Sequence, residues 1–132
     1  MKSCPPLILL AEDNEANVQT FSYYLRAKGY RLMVAQNGEI AIAQARASHP
    51  DLILMDVQMP KMDGLEAMRQ IRSDPTIASI PMIAITALAM PSDEARCLAA
   101  GADEYLSKPV CLKQLHQSIQ QHLAHSAPSV VS

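Results

Sequence analysis

Residues 52–55 read LILM, an unbroken apolar run that is followed directly by Asp56. Similar runs occur at residues 7–11 (LILLA) and 82–85 (MIAI). Continuous rather than alternating apolarity is typical of strands that are covered on both faces, as in a parallel sheet between two layers of helices. Two weaker candidate strands, at residues 31–35 (RLMVA) and 104–107 (EYLS), complete a predicted set of five.

Helical patterns separate these runs. Apolar residues recur there at spacings of three and four, as expected for helices that bury one stripe. Strand and helix therefore alternate five times, and right-handed crossovers turn that order into a doubly wound α/β sandwich. We expect one domain over residues 1–125 and a flexible tail at 126–132. The clearest stripes are Val18, Phe21 and Leu25 in the first helix and Leu112, Leu115, Ile119 and Leu123 in the last.

Glycines and acidic residues mark where helices end and begin. Gly29 and Gly101 follow helical stretches, as residues that end a helix in the left-handed conformation do. Asp63 and Glu66 have the spacing of a capping box, so a helix is expected to start there.

Composition narrows the function classes. The chain has 132 residues, 49% of them apolar, and a net charge of −2. That size suits one domain, and the charge gives no support for binding to nucleic acid or to an anionic membrane surface. The longest uncharged stretch, residues 75–92, contains Pro75, Pro81 and Pro91, so no membrane insertion is expected. The three cysteines, an odd number with no CxxC spacing, suit a reducing compartment, so a cytoplasmic location is expected.

Polar residues follow the predicted strands at their carboxyl ends, where open α/β sheets bind ligands. Taken singly, each has an ordinary interpretation as a helix cap, a solvated turn or a surface lysine. Taken together, three carboxylates, one hydroxyl and one ammonium are expected to converge on one edge of the sheet. These residues are Glu12, Asp13, Asp56, Thr86 and Lys108.

Such a cluster needs a cation. Two like charges about 4 Å apart cost about 4 kcal/mol at an effective dielectric constant near 20. Ligands that are all oxygen favour Mg²⁺ over Zn²⁺. A hydroxyl and an ammonium beside the metal are the groups that a phosphoryl unit requires, and Asp56 could then act as the nucleophile that forms an aspartyl phosphate.

Four motifs carry a family resemblance: LLAEDN, PDLILMDVQMPKMDG around Asp56, PMIAITA around Thr86, and GADEYLSKP around Lys108. With them the chain resembles the receiver domain of two-component response regulators from Leu7 to Leu123. The sequence of these motifs is most similar to that of receiver domains in hybrid sensor histidine kinases. The resemblance implies a flavodoxin-like (βα)5 sandwich whose parallel strands have the order 2-1-3-4-5.

The resemblance also implies a role for each site residue. Asp56 would accept a phosphoryl group from the phosphohistidine of a sensor histidine kinase or histidine phosphotransfer protein. Thr86 and Lys108 would contact the phosphoryl oxygens. Mg²⁺ would be held by Glu12, Asp13, Asp56 and the backbone carbonyl of Gln58. Glu12 stands where many family members carry aspartate.

Signal output is implied to depend on Tyr105, which occupies the aromatic switch position of the family. Movement of Thr86 toward the phosphate would free Tyr105 to turn inward, and this would alter the surface formed by the fourth helix, the fifth strand and the fifth helix. The Lys108–Pro109 peptide bond is implied to be cis. A homodimer through the fourth and fifth helices is a further family habit.

Two other function classes remain open. A phosphohydrolase of the haloacid dehalogenase type uses a similar Asp, Thr and Lys set, but it needs a second acid where this chain has the neutral Gln58. A receiver-like binding scaffold that never carries phosphate is the other. We expect a phosphoacceptor switch rather than an enzyme with its own substrate.

His122 and His125, on the last predicted helix, have a possible metal-binding spacing. Because no carboxylate or cysteine lies near them in the sequence, we expect this to be a solvated helical face.

Overall fold

The chain folds as a parallel sheet with helices on both faces. The computed structural model describes residues 5–57, 64–87 and 91–126. The strands are β1 (Leu7–Ala11), β2 (Arg31–Ala35), β3 (Leu52–Asp56), β4 (Met82–Thr86) and β5 (Glu104–Ser107). The helices are α1 (Glu15–Ala27), α2 (Gly38–Ser48), α3 (Gly64–Ser73), α4 (Pro91–Ala100) and α5 (Leu112–Ser126).

The strand order is β2-β1-β3-β4-β5, with every neighbouring pair parallel, so the predicted order 2-1-3-4-5 is confirmed. After β1 the chain adds β2 on one side of β1. It then adds β3, β4 and β5 in succession on the other side. Loops that leave β1 and β3 therefore diverge and open a crevice at their carboxyl ends. This crevice is where the site lies.

Two apolar clusters, one on each face of the sheet, form the core. Alternate residues of a strand enter opposite clusters, as Leu54 and Met55 do in β3. Every residue of β3 and β4 is buried, which explains their unbroken apolar sequences. The predicted stripes of α1 and α5 pack on the same cluster as Leu54, through Phe21, Leu25, Leu115 and Ile119 with Leu112 and Leu123 at its margin.

The central strands extend one residue further than the apolar runs predict. Asp56 pairs in register with Ile85, and Thr86 pairs with Ser107. The two polar residues therefore belong to the ladder itself, which holds their backbones rigidly. At the end of the chain, α5 continues to Ser126, one residue into the predicted tail, and residues 127–132 lie outside the described residues.

Helix α3 begins at Gly64, as the sequence predicts, while Asp63, the other half of the expected capping box, lies outside the described residues. The Gly64 amide donates to the Val57 carbonyl at 3.0 Å. A Cβ at position 64 would lie 2.4 Å from the Asp56 carbonyl oxygen. Glycine is therefore required here, because α3 starts directly against the backbone of Asp56.

Arg72 ties α3 to the turn between α4 and β5. Its guanidinium donates to the carbonyls of Gly101 (2.9 Å), Ala78 (2.6 Å) and Ile80 (2.7 Å), and to Asp103 Oδ2 (2.7 Å). Gly101 has a φ of +120°, as its position after a helix predicts. These bonds satisfy backbone carbonyls near the amino ends of β4 and β5, away from the crevice.

No helix within residues 5–57, 64–87 and 91–126 has the length and apolar character that crossing a membrane requires.

Candidate functional site

Three acidic side chains meet at the carboxyl ends of β1 and β3. Glu12 and Asp13 follow β1, and Asp56 is the last residue of β3. Glu12 is 1% exposed and Asp56 is 3% exposed, whereas Asp13 is open to solvent. One carboxylate oxygen from each of the three lies within 4.8 Å of the others. The expected convergence of carboxylates is therefore present.

Lys108 brings a positive charge to the two buried carboxylates. Its Nζ lies 3.1 Å from Asp56 Oδ2 and 3.5 Å from Glu12 Oε1. The Lys108 amide donates to the Thr86 carbonyl at 2.8 Å, which aligns the end of β5 with the end of β4. The peptide bond from Lys108 to Pro109 is cis, the arrangement that the family resemblance implies.

Thr86 is fully buried at the end of β4, next to Asp56 in the sheet order. Tyr105 lies on β5, half-buried, and packs against the apolar cluster that contains Cys97 of α4. The residues expected to carry the switch thus occupy adjacent strands. Gln58, whose backbone carbonyl was expected to complete the metal site, lies outside the described residues.

Burial raises the pKa of Glu12 to about 7, and a hydrogen bond and charge repulsion from Asp56 act in the same direction. Lys108 opposes this shift only in part. Burial also disfavours the charged form of Lys108, but the hydrogen bonds and charges of Asp56 and Glu12 outweigh it and raise the pKa of Lys108. The site therefore favours a bound proton or a further cation.

The donor set fits Mg²⁺. All three acidic residues offer carboxylate oxygens, the ligands that hard divalent cations prefer. Glu12 near neutrality exchanges between a proton and a negative charge, so a divalent ion would compete with that proton. Asp13 is exposed and leaves one side open to water, which suits an ion that keeps part of its hydration shell.

The loop that starts α1 holds the other oxygen of Glu12. Its Oε2 accepts from the Asn14 backbone amide at 3.2 Å and from Asn17 Nδ2 at 3.5 Å. Asn14 also caps α1, because its Oδ1 accepts from the Asn17 amide at 3.0 Å. Sequence reasoning missed this support, although an asparagine just before a helix is a recognisable cap signal.

The prediction of a solvated face on α5 is wrong at His122. His122 Nε2 lies 2.8 Å from Glu104 Oε1, and Ser118 Oγ donates to Glu104 Oε2 at 2.8 Å. Glu104 alternates with Tyr105 on β5 and so faces α5 rather than α4. The spacing of Ser118 and His122, one helical turn, was the available signal, but their partner comes from a distant strand.

The sequence profile of the response regulator receiver domain matches residues 8–120. Because this match covers most of the chain, the chain belongs to the response regulator receiver domain family, the phosphorelay modules of two-component signalling. The polar-differentiation response regulator DivK of Brucella anthropi is 39% identical over 119 residues, which cover 90% of this chain and 97% of DivK.

Solved structures agree with the family. The receiver domain of a sensor histidine kinase from Pseudomonas aeruginosa, which has a magnesium ion coordinated in its active site cleft, superposes with a TM-score of 0.86 at 36% identity. The match covers 92% of this chain and 99% of that one. A receiver domain of a signal transduction histidine kinase from Syntrophus aciditrophicus reaches a TM-score of 0.88 at 31% identity and covers 96% of both chains.

Proposed function

We propose that Asp56 accepts a phosphoryl group from the phosphohistidine of a sensor histidine kinase or a histidine phosphotransfer protein, and that Mg²⁺ is held beside it by Glu12 and Asp13. The observation that carries this proposal is the 3.1 Å contact between Lys108 Nζ and Asp56 Oδ2 inside the acidic cluster. A lysine and a metal-binding acidic pair around one buried carboxylate form a site for a dianionic phosphoryl group.

The transfer exchanges one bond for another. An Asp56 carboxylate oxygen forms a bond to phosphorus while the phosphorus–nitrogen bond to the donor imidazole breaks, and the electron pair returns to that nitrogen. Lys108 stays charged throughout, because its pKa is raised, and it moves from pairing Asp56 to contacting a phosphoryl oxygen. Bound Mg²⁺ would supply the charge that the acidic side chains and the incoming phosphoryl oxygens need.

The conformational response to phosphorylation would begin at Thr86. Its hydroxyl is buried next to Asp56 in the sheet order, so a phosphoryl group on Asp56 gives it a new acceptor. Tyr105 on the adjacent strand would then turn inward and change the surface of α4, β5 and α5. The proposed change is a shift between two populations of one fold rather than a change of fold.

A phosphohydrolase of the haloacid dehalogenase type is not favoured. The family match runs across the whole site, and the position of the second acid is the neutral Gln58. An amide cannot donate the proton that a leaving group requires. A receiver-like binding scaffold that never carries phosphate is not favoured either, since Lys108 contacts both Glu12 and Asp56. We therefore assign a switch module rather than an enzyme.

The relatives support the remaining assignments. The magnesium ion in the Pseudomonas receiver domain supports Mg²⁺ as the ion here. The similarity to receivers of histidine kinases supports a kinase or phosphotransfer partner. The buried thiol of Cys97 and the exposed one of Cys111 are unpaired, which agrees with a reducing, cytoplasmic location. We propose no direct nucleic-acid contact.

The proposal can be tested with a small phosphodonor. The chain is incubated with Mg²⁺ and phosphoramidate or acetyl phosphate, and its intact mass is measured. We expect one added phosphoryl group on the wild type and none on Asp56→Asn. Absence of label on the wild type, or equal labelling of Asp56→Asn, would overturn the assignment. Steady release of phosphate from small phosphomonoesters over many turnovers would favour the phosphohydrolase instead.

A further inference from the structure

Asn17 lies in the first turn of α1, with its side-chain amide directed at the buried end of β1. We propose that Asn17 is a positioning residue for Glu12: it holds one oxygen of the Glu12 carboxylate so that the other faces the cation site. The inference rests on the proposed function, because the orientation of Glu12 matters only if the site binds Mg²⁺.

The two oxygens of Glu12 have different surroundings. Oε1 faces Lys108 Nζ at 3.5 Å, on the side of Asp56. Oε2 faces α1, where the Asn14 amide lies at 3.2 Å and Asn17 Nδ2 at 3.5 Å. Because Glu12 is almost fully buried, bulk water cannot readily replace a lost donor. The two donors at the start of α1 therefore determine which oxygen of the Glu12 carboxylate faces the cation site.

Helix geometry fixes the direction of Asn17. Side chains of a helix lean toward its N-terminus, so a residue in the first turn reaches back over the end of the preceding strand. The Asn14 cap anchors this turn through the backbone amide of Asn17 itself, at 3.0 Å. The donor that holds Glu12 is thus built into a rigid helix start rather than into a free loop.

The length of the Glu12 side chain makes the contact from Asn17 necessary. A glutamate has one more rotatable bond than an aspartate, so its carboxylate has more orientations to lose when it binds an ion. It also reaches further toward α1. An aspartate at position 12 would be too short to span both α1 and Lys108. Asn17 should consequently matter in the presence of Glu12 and not in the presence of an aspartate there.

This dependence defines a double-mutant cycle. Calorimetric titration measures Mg²⁺ affinity for the wild type, Asn17→Leu, Glu12→Asp and the double variant. Leucine keeps the branched shape of asparagine but cannot donate a hydrogen bond. We expect Asn17→Leu to weaken Mg²⁺ binding about three- to tenfold, the range of one lost hydrogen bond. In the Glu12→Asp background the same change should leave the affinity unaltered.

Two further measurements separate positioning from general damage. Gln19→Leu, an exposed position on the same helix, should retain wild-type affinity and serves as the matched control. Labelling of Asn17→Leu by phosphoramidate should be slow at low Mg²⁺ and return to the wild-type rate when Mg²⁺ saturates. Thermal unfolding without added Mg²⁺ should show that Asn17→Leu is folded.

The outcomes are distinct. If the wild type binds Mg²⁺ and Asn17→Leu binds it equally well, the role of Asn17 is overturned while the proposed function stands. An equal loss of affinity on Asn17→Leu in both backgrounds would overturn that role in the same way. If the wild type neither binds Mg²⁺ nor becomes phosphorylated, the proposed function itself is wrong, and the positioning role is lost with it.

Discussion

Lys108 Nζ lies 3.1 Å from Asp56 Oδ2, although the two residues are 52 positions apart in the chain. The contact joins the ends of two strands separated by β4, so it can form only when the whole carboxyl edge of the sheet is assembled. It also sets opposite charges in a largely buried site, where removing one partner leaves the other uncompensated.

Lys108→Met should therefore reduce both labelling and stability. Without the ammonium, the buried carboxylates lose their partner, and we expect the free energy of unfolding to fall by about 1–3 kcal/mol in the absence of Mg²⁺. Urea unfolding measures this. Lys113→Met, at an exposed position on α5, is the control and should change stability by less than about 0.5 kcal/mol. Equal effects of the two variants would contradict the pairing.

The raised pKa of Glu12 predicts a pH dependence of stability without Mg²⁺. The folded protein holds this proton up to about pH 7, whereas the ordinary pKa is 4.5. Glu12 therefore stabilises the fold fully below pH 4.5, and this contribution is lost as pH rises through about 7. A rise in pKa from 4.5 to about 7 corresponds to about 3 kcal/mol.

Unfolding free energies at several pH values should show this loss in the wild type and a flatter profile in Glu12→Gln. Mg²⁺ should stabilise the wild type more at the alkaline end, because the ion no longer competes with a proton. Parallel profiles of the wild type and Glu12→Gln would refute the role assigned to this carboxyl.

Gly64→Ala should damage the site through the backbone. The new Cβ would lie 2.4 Å from the Asp56 carbonyl oxygen, so α3 or the end of β3 must shift. We expect a loss of about 2–4 kcal/mol in stability, as for other steric overpacking combined with backbone displacement, together with slower labelling of Asp56.

Gly29→Ala is the matched control for Gly64→Ala. Gly29 has a φ of +97° and open space around its added Cβ, so alanine there costs about 1 kcal/mol in conformation and leaves labelling unchanged. A milder effect at position 64 than at position 29 would show that the close approach is not a constraint.

Arg72→Met should lower the stability of the protein without changing its affinity for Mg²⁺. The variant loses the hydrogen bonds that join α3 to the turn before β5, at a cost of about 2–4 kcal/mol. Mg²⁺ affinity should remain that of the wild type, because Arg72 lies away from the crevice. Arg69→Met removes only an exposed pair on the same helix and should cost less than about 0.5 kcal/mol. A changed Mg²⁺ affinity in Arg72→Met would argue against this prediction.

The sequence predicts most of the fold because its strands are short, fully buried runs whose periodicity differs from that of the helices. It also predicts that Glu12, Asp56 and Lys108 converge, because parallel strands end at one edge. It does not predict which oxygen of Glu12 faces Asn17, since this depends on the path of the chain between β1 and α1. The contact between His122 and Glu104 was missed for a different reason: the two residues lie far apart in the sequence, on α5 and β5.

The Arg72 bonds to Gly101 and Asp103 secure the chain just beyond the last residue of α4. One end of that helix is thereby anchored to α3, and the other end follows the strand that carries Thr86. In the proposed switch, a displacement of Thr86 would therefore move the amino end of α4 more than its carboxyl end, which Arg72 anchors. A partner that distinguishes the two states would then be expected to contact the amino end of α4.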